Sequence, residues 1–365
     1  MKIIIDSTIP FIQGILEPIA QVKYLDSKDL TSEAIRDAYA LMVRSIEKCT
    51  ASLLNGSKVK LITTATIGFD HIDTAYCEAN HIHWQNAPGC NARSVAQYLL
   101  CVLLDVALKE KLTLKGKTIG IIGVGHVGLQ VEKLCKAYGM HILRYDPPRV
   151  KQEGAKGFVS LEKLTSESDI ITFHTPLTHN GDYPTYHLAS STFFKQLKRK
   201  PWIINTCRGG VIDTSALLSA LQKQQVSKVF VDCWENEPHP SEKLLQQVAF
   251  ATPHIAGFSA DGKANGTRMC VEAIEKYFHI TVPMLHKVAP ETPAQPFIDL
   301  NNFSDHRIER AMLQSRPLRP IDKALRQSAN QFESLRNKYI HPREFAAFTL
   351  QNATSDEVTL WNNCK

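Results

Sequence analysis

Short apolar runs recur through the first 280 residues, separated by stretches with helical spacing. In the first ninety residues KIIID, QVKYLD, ALMVRS, VKLITTATIG and HIHWQNAP read as strands, with TSEAIRDAY and ASLLNG as helical segments between them. A second series runs through KTIGIIGVG, HILRYD, DIITFHTP, WIINTCRG, KVFVDCWE and FATPHIAG. Such alternation implies parallel sheets with helices on their faces. Between the two series, ARSVAQYLLCVLLDVAL (92–108) is one long helical pattern expected to bridge two domains. Beyond residue 280 the texture changes. VPMLHKVAPETPAQP holds four prolines in fifteen residues, a linker composition. Residues 297–365 then form a more polar segment with charged helical stretches such as ALRQSANQFESLRNKYI. The expected architecture is α/β: two doubly wound parallel-sheet domains around a cleft, followed by a small C-terminal α+β domain.

The composition narrows the function classes. At 365 residues, 44% hydrophobic and 21% charged, the chain reads as an ordinary globular protein. A net charge of +6 suits anionic small molecules, but without a dense Lys/Arg block it gives no case for nucleic acid. The longest apolar run, YLLCVLLDVAL, is interrupted by Asp105 and is too short to span a bilayer. The start, MKIIIDSTIP, lacks the pattern of a secretory signal. Nine scattered cysteines without a CxxC pair read as reduced core residues, which makes the cytoplasm the expected location. His81 and His83 point to one side of a strand, but no third ligand accompanies them, so no metal is expected.

The strongest local signal is GVGHVG (123–128), placed between a β-branched run and a helical pattern. Gly123 permits a tight turn, Gly125 lets the backbone approach a pyrophosphate, and Gly128 lets helix and strand pack closely. His126 and Val127 line the same turn, whose helix-start amides face the phosphates. Eighteen residues past Gly128 the next strand ends at Asp146. A carboxylate there accepts both ribose hydroxyls and repels a 2′-phosphate, which favours NAD over NADP; Arg144 and Arg149 stand close by.

Three further residues follow strand ends in the second series: Arg208, Glu237 and His254. Oxidation of a hydroxy acid needs a cation to orient the carboxylate, a base for the hydroxyl proton and an acid to hold the base in one tautomer. Arg208, His254 and Glu237 supply these in that order, with Gly209 and Gly210 read as keeping bulk away from the arginine. Cys207 is adjacent, but no base accompanies it, so it reads as a small apolar neighbour.

With INTCRGGVID, VDCWENEP and TPHIAG in place, the chain resembles the D-2-hydroxyacid dehydrogenase family. ALMVRS, TATIGFDHID, APGCNA, YDPPR, TFHTPLTHNGDYPTYHL and GFSADGKANGT extend the likeness over nearly the whole chain. The resemblance implies a substrate-binding domain from 1–92 and 258–285, a Rossmann NAD-binding domain from 93–257 and a dimerisation domain from 290–365. It implies Arg208 and Glu237 as active-site residues and His254 as proton donor or acceptor. Asp146, Thr175, Asp232 and Gly257 would contact NAD, with Asp232 near the nicotinamide amide, and Ser45 and Thr66 would contact substrate. The implied substrate is a phosphorylated 2-hydroxy acid, with the TATIGFDHID loop and the Arg44–Ser45 corner as candidates for its phosphate. The implied assembly is a homodimer. One position departs: Phe258 stands where the family pattern carries tyrosine, one hydroxyl fewer for an anionic substrate. Two alternatives stay open: a different D-2-hydroxy acid such as 3-phosphoglycerate, and a non-enzymatic NAD-sensing scaffold, against which the intact Arg–Glu–His set argues.

Overall fold

The computed structural model describes all residues, 1–365. The chain forms two compact units, residues 1–91 with 259–292 and residues 92–258 with 293–365.

The first unit is built on a five-stranded sheet of β1 (Lys2–Asp6), β2 (Gln21–Leu25), β3 (Ala40–Val43), β4 (Leu61–Thr64) and β5 (His83–Gln85). Its order is β2-β1-β3-β4-β5, and every pairing is parallel. The central strands ALMV and LITT are wholly buried because both sheet faces are covered. One covering element is the helix Ala260–Phe278, which places Cys270, Val271 and Ile274 in a core with Ile3, Ile5, Met42 and Leu61. That helix comes unusually close to the end of β4. A Cβ on Gly266 would lie 3.0 Å from the Ala65 carbonyl oxygen, so only glycine fits without displacement. The TATIG run does not continue β4; the strand stops at Thr64, and the chain turns where Thr66 Oγ1 donates to the Gly68 carbonyl (2.8 Å).

The second unit carries β6 (Thr118–Ile122), β7 (His141–Tyr145), β8 (Ile170–Phe173), β9 (Trp202–Asn205), β10 (Lys228–Val231) and β11 (Phe250–Ala251). They form one parallel sheet in the order β11-β10-β9-β8-β6-β7. The helix Ala92–Lys109 is buried on nearly all sides, which explains its continuous apolar run.

Residues 293–365 pack as part of this second unit, although their polar composition suggested a separate body beyond 290. They hold a small parallel pair, β12 (Phe297–Asp299) and β13 (Thr349–Gln351), and several helices. Trp361 stacks on Phe345 at 5.3 Å within the main core. Arg316 is 2% exposed. Its guanidinium donates to Ser94 O (2.8 Å), Ser94 Oγ (3.1 Å), Ala256 O (2.9 Å) and Phe258 O (3.2 Å). Asp322, also buried, accepts the Ala251 amide (2.9 Å) while Arg319 and Arg326 neutralise it. Polar residues thus lock the tail in place, and polarity is why it reads as surface.

Candidate active site

The loops that carry Arg208, Glu237 and His254 leave the carboxyl ends of β9, β10 and β11, where open α/β sheets bind ligands. Asn205, the last residue of β9, ties two of them together. Its Nδ2 donates to the carbonyls of Arg208 (3.0 Å) and Cys233 (3.2 Å), and its Oδ1 accepts the Cys207 amide (3.2 Å). Gly209 is required by close packing, not by access to Arg208. A Cβ there would sit 1.9 Å from the Trp234 carbonyl oxygen. A Cβ on Gly210 would meet Leu177 and Tyr186 at 3.4 Å. The glycine pair therefore lets one loop pass another.

Arg208 is exposed and spends one donor on the Cys207 carbonyl (2.8 Å); no carboxylate pairs with its guanidinium. His254 adopts a left-handed backbone (φ 56°), a conformation that needs support in a non-glycine residue. The support is Asp232. Oδ1 of Asp232 accepts Thr252 Oγ1 (2.6 Å) and the Ile255 amide (2.8 Å), and Oδ2 accepts the Ala256 amide (2.9 Å). Burial pushes this carboxyl up, against the His254 charge and these donors. Oδ2 also takes a weak bond from the Cys233 thiol (3.9 Å).

His254 Nδ1 meets Glu237 Oε2 at 2.8 Å, and Glu237 Oε1 accepts the Trp234 amide (2.7 Å). A carboxylate on Nδ1 assigns the proton there and leaves Nε2 as the acceptor facing outward chemistry. Trp234 Nε1 also donates to Thr252 O (2.9 Å), joining the Glu237 loop to the His254 loop. Cys233 lies close enough that its sulfur, with Glu237 and His254, offers ligand atoms within 4.8 Å of one another. Burial and the Asp232 charge hold that thiol well above its usual range. The Glu237–His254 bond accounts for the grouping.

A second histidine–carboxylate hydrogen bond buttresses the same loops and has no signature in the sequence. His187 Nε2 meets Glu235 Oε1 at 2.5 Å, Glu235 Oε2 accepts the Thr214 amide (2.9 Å), and the His187 amide donates to Gly210 O (2.8 Å). Burial alone would push the Glu235 carboxyl up, yet the Thr214 and His187 donors hold it below the usual carboxylate range.

The glycine turn fits a dinucleotide. Gly123 has φ 87°, and a Cβ there would lie 2.8 Å from the His174 carbonyl oxygen. A Cβ on Gly128 would lie 2.2 Å from the Gly123 carbonyl oxygen, whereas around Gly125 nothing lies within 4 Å. Gly125 caps the helix His126–Ala137, so open space sits where a pyrophosphate needs it. His126 is exposed there and Val127 half-buried. Three buried polar atoms beyond neighbouring strand ends, His174 Nδ1, Thr175 Oγ1 and Thr206 Oγ1, lack protein partners, as expected of a site that meets a polar ligand. Burial pushes the His174 imidazole down to about 3, so it is neutral. Thr175 follows it directly, and Gly257 lies half-buried in the loop beyond His254.

Asp146 Oδ2 accepts the Val124 amide (2.8 Å) and Oδ1 caps the helix Pro147–Glu153 through the Arg149 amide (3.1 Å). Arg149 is taken by Glu153 (2.8 and 2.6 Å), and Arg144 by Gly157 O (2.8 Å) and Glu132 (3.6 Å). Neither arginine stands ready for a 2′-phosphate. Asp146→Asn removes the repelling charge and, with one acceptor oxygen in place of two, keeps only one of the Val124 and Arg149 amide bonds. Its KM for NAD is expected to rise about 10–100-fold as charge-assisted ribose bonds weaken, while NADP use improves. Equal NAD and NADP kinetics in the unmodified protein would contradict this role.

Ser45 and Thr66 belong to the first unit. Ser45 is exposed just past β3, and Thr66 lies past β4 with its hydroxyl proton on Gly68 O.

The family model for the NAD binding domain of D-isomer specific 2-hydroxyacid dehydrogenases matches residues 105–256. Over 362 residues the chain is 50% identical to an erythronate-4-phosphate dehydrogenase of Porphyromonas gingivalis, covering 99% of this chain and 98% of that one. It is 46% identical over 351 residues to the erythronate-4-phosphate dehydrogenase of Bacteroides thetaiotaomicron, covering 96% and 99%. Among solved structures, NAD+-bound 3-phosphoglycerate dehydrogenase of Entamoeba histolytica superposes with a TM-score of 0.61 at 28% identity, covering 78% of this chain and 97% of that one. D-Lactate dehydrogenase of Aquifex aeolicus, complexed with NAD and lactic acid, gives 0.58 at 26%, covering 79% and 100%.

Proposed function

This chain belongs to the D-isomer specific 2-hydroxyacid dehydrogenase family, and on that premise we propose that it oxidises 4-phospho-D-erythronate to 3-hydroxy-2-oxo-4-phosphooxybutanoate with NAD, a step in making pyridoxal 5′-phosphate. The carrying observation is the Glu237–His254 pair with Arg208 beside it on a dinucleotide-binding unit. The phosphorylated C4 acid is supported by the full-length likeness to erythronate-4-phosphate dehydrogenases.

Bound NAD supplies the hydride acceptor. Arg208, with no internal carboxylate to satisfy it, grips the substrate carboxylate through two parallel charge-assisted bonds. His254 Nε2 takes the hydroxyl proton as the C2 hydrogen departs with its electron pair, and Glu237 stabilises the imidazolium that forms. The products are the 2-oxo acid, the reduced cofactor and one proton held on His254. Ser45 and Thr66 serve as substrate contacts in this reading. Phe258 costs the site one hydroxyl that tyrosine would offer.

The assembly in this reading is a homodimer through the tail, supported by the exposed Ile340 (88%) and Phe297 (57%) there. A cytoplasmic location is supported by nine cysteines with no disulfide among them. The closest alternative is 3-phosphoglycerate oxidation, given the shared fold of that enzyme.

Turnover with NAD across 4-phospho-D-erythronate, 3-phosphoglycerate and D-lactate separates these readings. The phosphoerythronate kcat/KM is expected to lead by about 10²-fold or more, since a site built for a polar group rejects analogues that misplace it. Leadership by 3-phosphoglycerate would reassign the substrate. Cofactor binding without any turnover would leave a scaffold.

A further inference from the structure

We propose that His187, acting through Glu235, is a positioning residue that holds Arg208 in register with the Glu237–His254 pair. This rests on the reading of Arg208 as the group that grips the substrate carboxylate, and it applies to whichever 2-hydroxy acid is turned over.

Arg208 needs support from elsewhere in the unit. The residue is exposed, and its guanidinium bonds internally to the carbonyl of its own neighbour, Cys207. A fork that must meet a carboxylate with two parallel bonds is useful only if its base is held still. The chain past Arg208 makes one short turn, Gly209–Val211, before the helix Thr214–Gln222 begins. Asn205 fixes the near end of that turn through the Arg208 carbonyl. The far end is fixed by residues 187–189, from the loop after β8. The His187 amide donates to Gly210 O (2.8 Å), the Ala189 amide to Val211 O (3.1 Å), and the Asp213 amide returns a bond to Ala189 O (3.2 Å).

The His187 side chain then ties this turn to the loop of Glu237. A carboxylate only accepts, so His187 Nε2 carries the proton in its bond to Glu235 Oε1 (2.5 Å). Oε2 of Glu235 accepts the amide of Thr214, the first residue of the helix after the Arg208 turn (2.9 Å). Glu235 lies two residues before Glu237, and the intimacy of the two loops is set by Trp234. The Trp234 amide donates to Glu237 Oε1 (2.7 Å), and its carbonyl is the atom against which Gly209 packs. One carboxylate thus joins three strand-end loops: that after β8 through His187, that after β9 through Thr214, and its own after β10.

The imidazole is held on its other sides as well. His187 Nδ1 faces Asp213 Oδ2 at 3.9 Å, and Asp213 Oδ1 caps the same helix through the amides of Ser215 (2.9 Å) and Ala216 (3.0 Å). The Tyr186 ring stacks on the imidazole at 3.9 Å. The segment bearing His187 is anchored in turn. Thr185 Oγ1 donates to Pro176 O (2.6 Å) and accepts the Thr178 amide (2.8 Å), while the Tyr186 amide donates to Thr178 O (3.0 Å). These bonds close the 178–186 loop at its neck, so His187 takes its place from the end of β8. Its backbone is left-handed (φ 51°), a conformation kept in a non-glycine residue only where the surroundings over-determine it.

The test is a double-mutant cycle on the full chain between His187→Asn and Arg208→Lys. Asparagine tolerates the left-handed backbone but cannot reach Glu235. In steady state with NAD and the hydroxy acid that leads the substrate panel, His187→Asn is expected to lower kcat/KM about 10–100-fold, the scale of a misplaced orienting group. NADH affinity by fluorescence titration is expected to stay unchanged. In the Arg208→Lys background, where the fork is already lost, the same substitution is expected to cost no more than about threefold. Glu235→Ala, which keeps the histidine and its backbone, is expected to reproduce both results, and it decides the matter if His187→Asn does not fold. Glu235→Gln, whose carbonyl can still accept the Thr214 amide, is expected to recover part of the loss. Native kcat/KM in folded His187→Asn, or the same fold-loss in both backgrounds, overturns the positioning role and leaves Arg208 its own. Native kcat/KM in Arg208→Lys alone overturns the reading of Arg208, and the positioning role falls with it.

Discussion

Replacing His254 with asparagine is expected to lower turnover by about 10²–10⁴-fold while NADH still binds. Asparagine is the informative choice because it tolerates the left-handed backbone that His254 adopts, so strain does not masquerade as lost chemistry. The Asp232 carboxylate keeps the loop in place through Thr252, Ile255 and Ala256 whichever side chain is present. What disappears is the one imidazole whose Nδ1 is fixed by Glu237. NADH fluorescence titration and single-turnover hydride transfer measure the two halves separately. Near-native turnover in His254→Asn would remove the histidine from the mechanism.

The second large effect is on stability. Arg316→Leu is expected to destabilise the second unit by about 3–5 kcal/mol, because each buried acceptor left without a donor costs about 1–3 kcal/mol. The acceptors are the carbonyls of Ser94, Ala256 and Phe258, together with Ser94 Oγ. Two of these carbonyls flank the His254 loop, so activity is expected to fall along with stability. Urea unfolding followed by circular dichroism, alongside turnover at low denaturant, checks both. An unfolding midpoint like that of the unmodified protein would mean that water replaces the guanidinium without penalty.

How much of this was legible beforehand depended on whether the cause was local. Strands such as TIGII and WIIN announce themselves because a buried parallel strand needs a continuous apolar run. GVGHVG followed by Asp146 is legible because its geometry is set within one strand–turn–helix unit. Arg208, Glu237 and His254 stood out as candidates because each follows a strand end. The reasons behind their neighbours were not found. Gly209 looked like clearance for an arginine, but the obstacle is the Trp234 carbonyl, 25 positions away and on another loop. Asn205 drew no reading and Asp232 entered as an implied NAD contact, and no periodicity reveals that they bind separate loops together. Arg316, within the polar segment 297–365, carried no signal of burial; its burial is decided by carbonyls more than 50 residues away.

The grip of Arg316 also sets an order of events during synthesis. The His254 loop is made first, but its last donor arrives with residue 316, and Asp322, which accepts the Ala251 amide, follows. At about 5–20 residues per second, that leaves a nascent chain several seconds with the glycine turn, Arg208 and His254 all translated and the His254 loop not yet secured. A chain ending before residue 316 is therefore expected to carry the His254 loop without the donor that holds Ala256 O and Phe258 O.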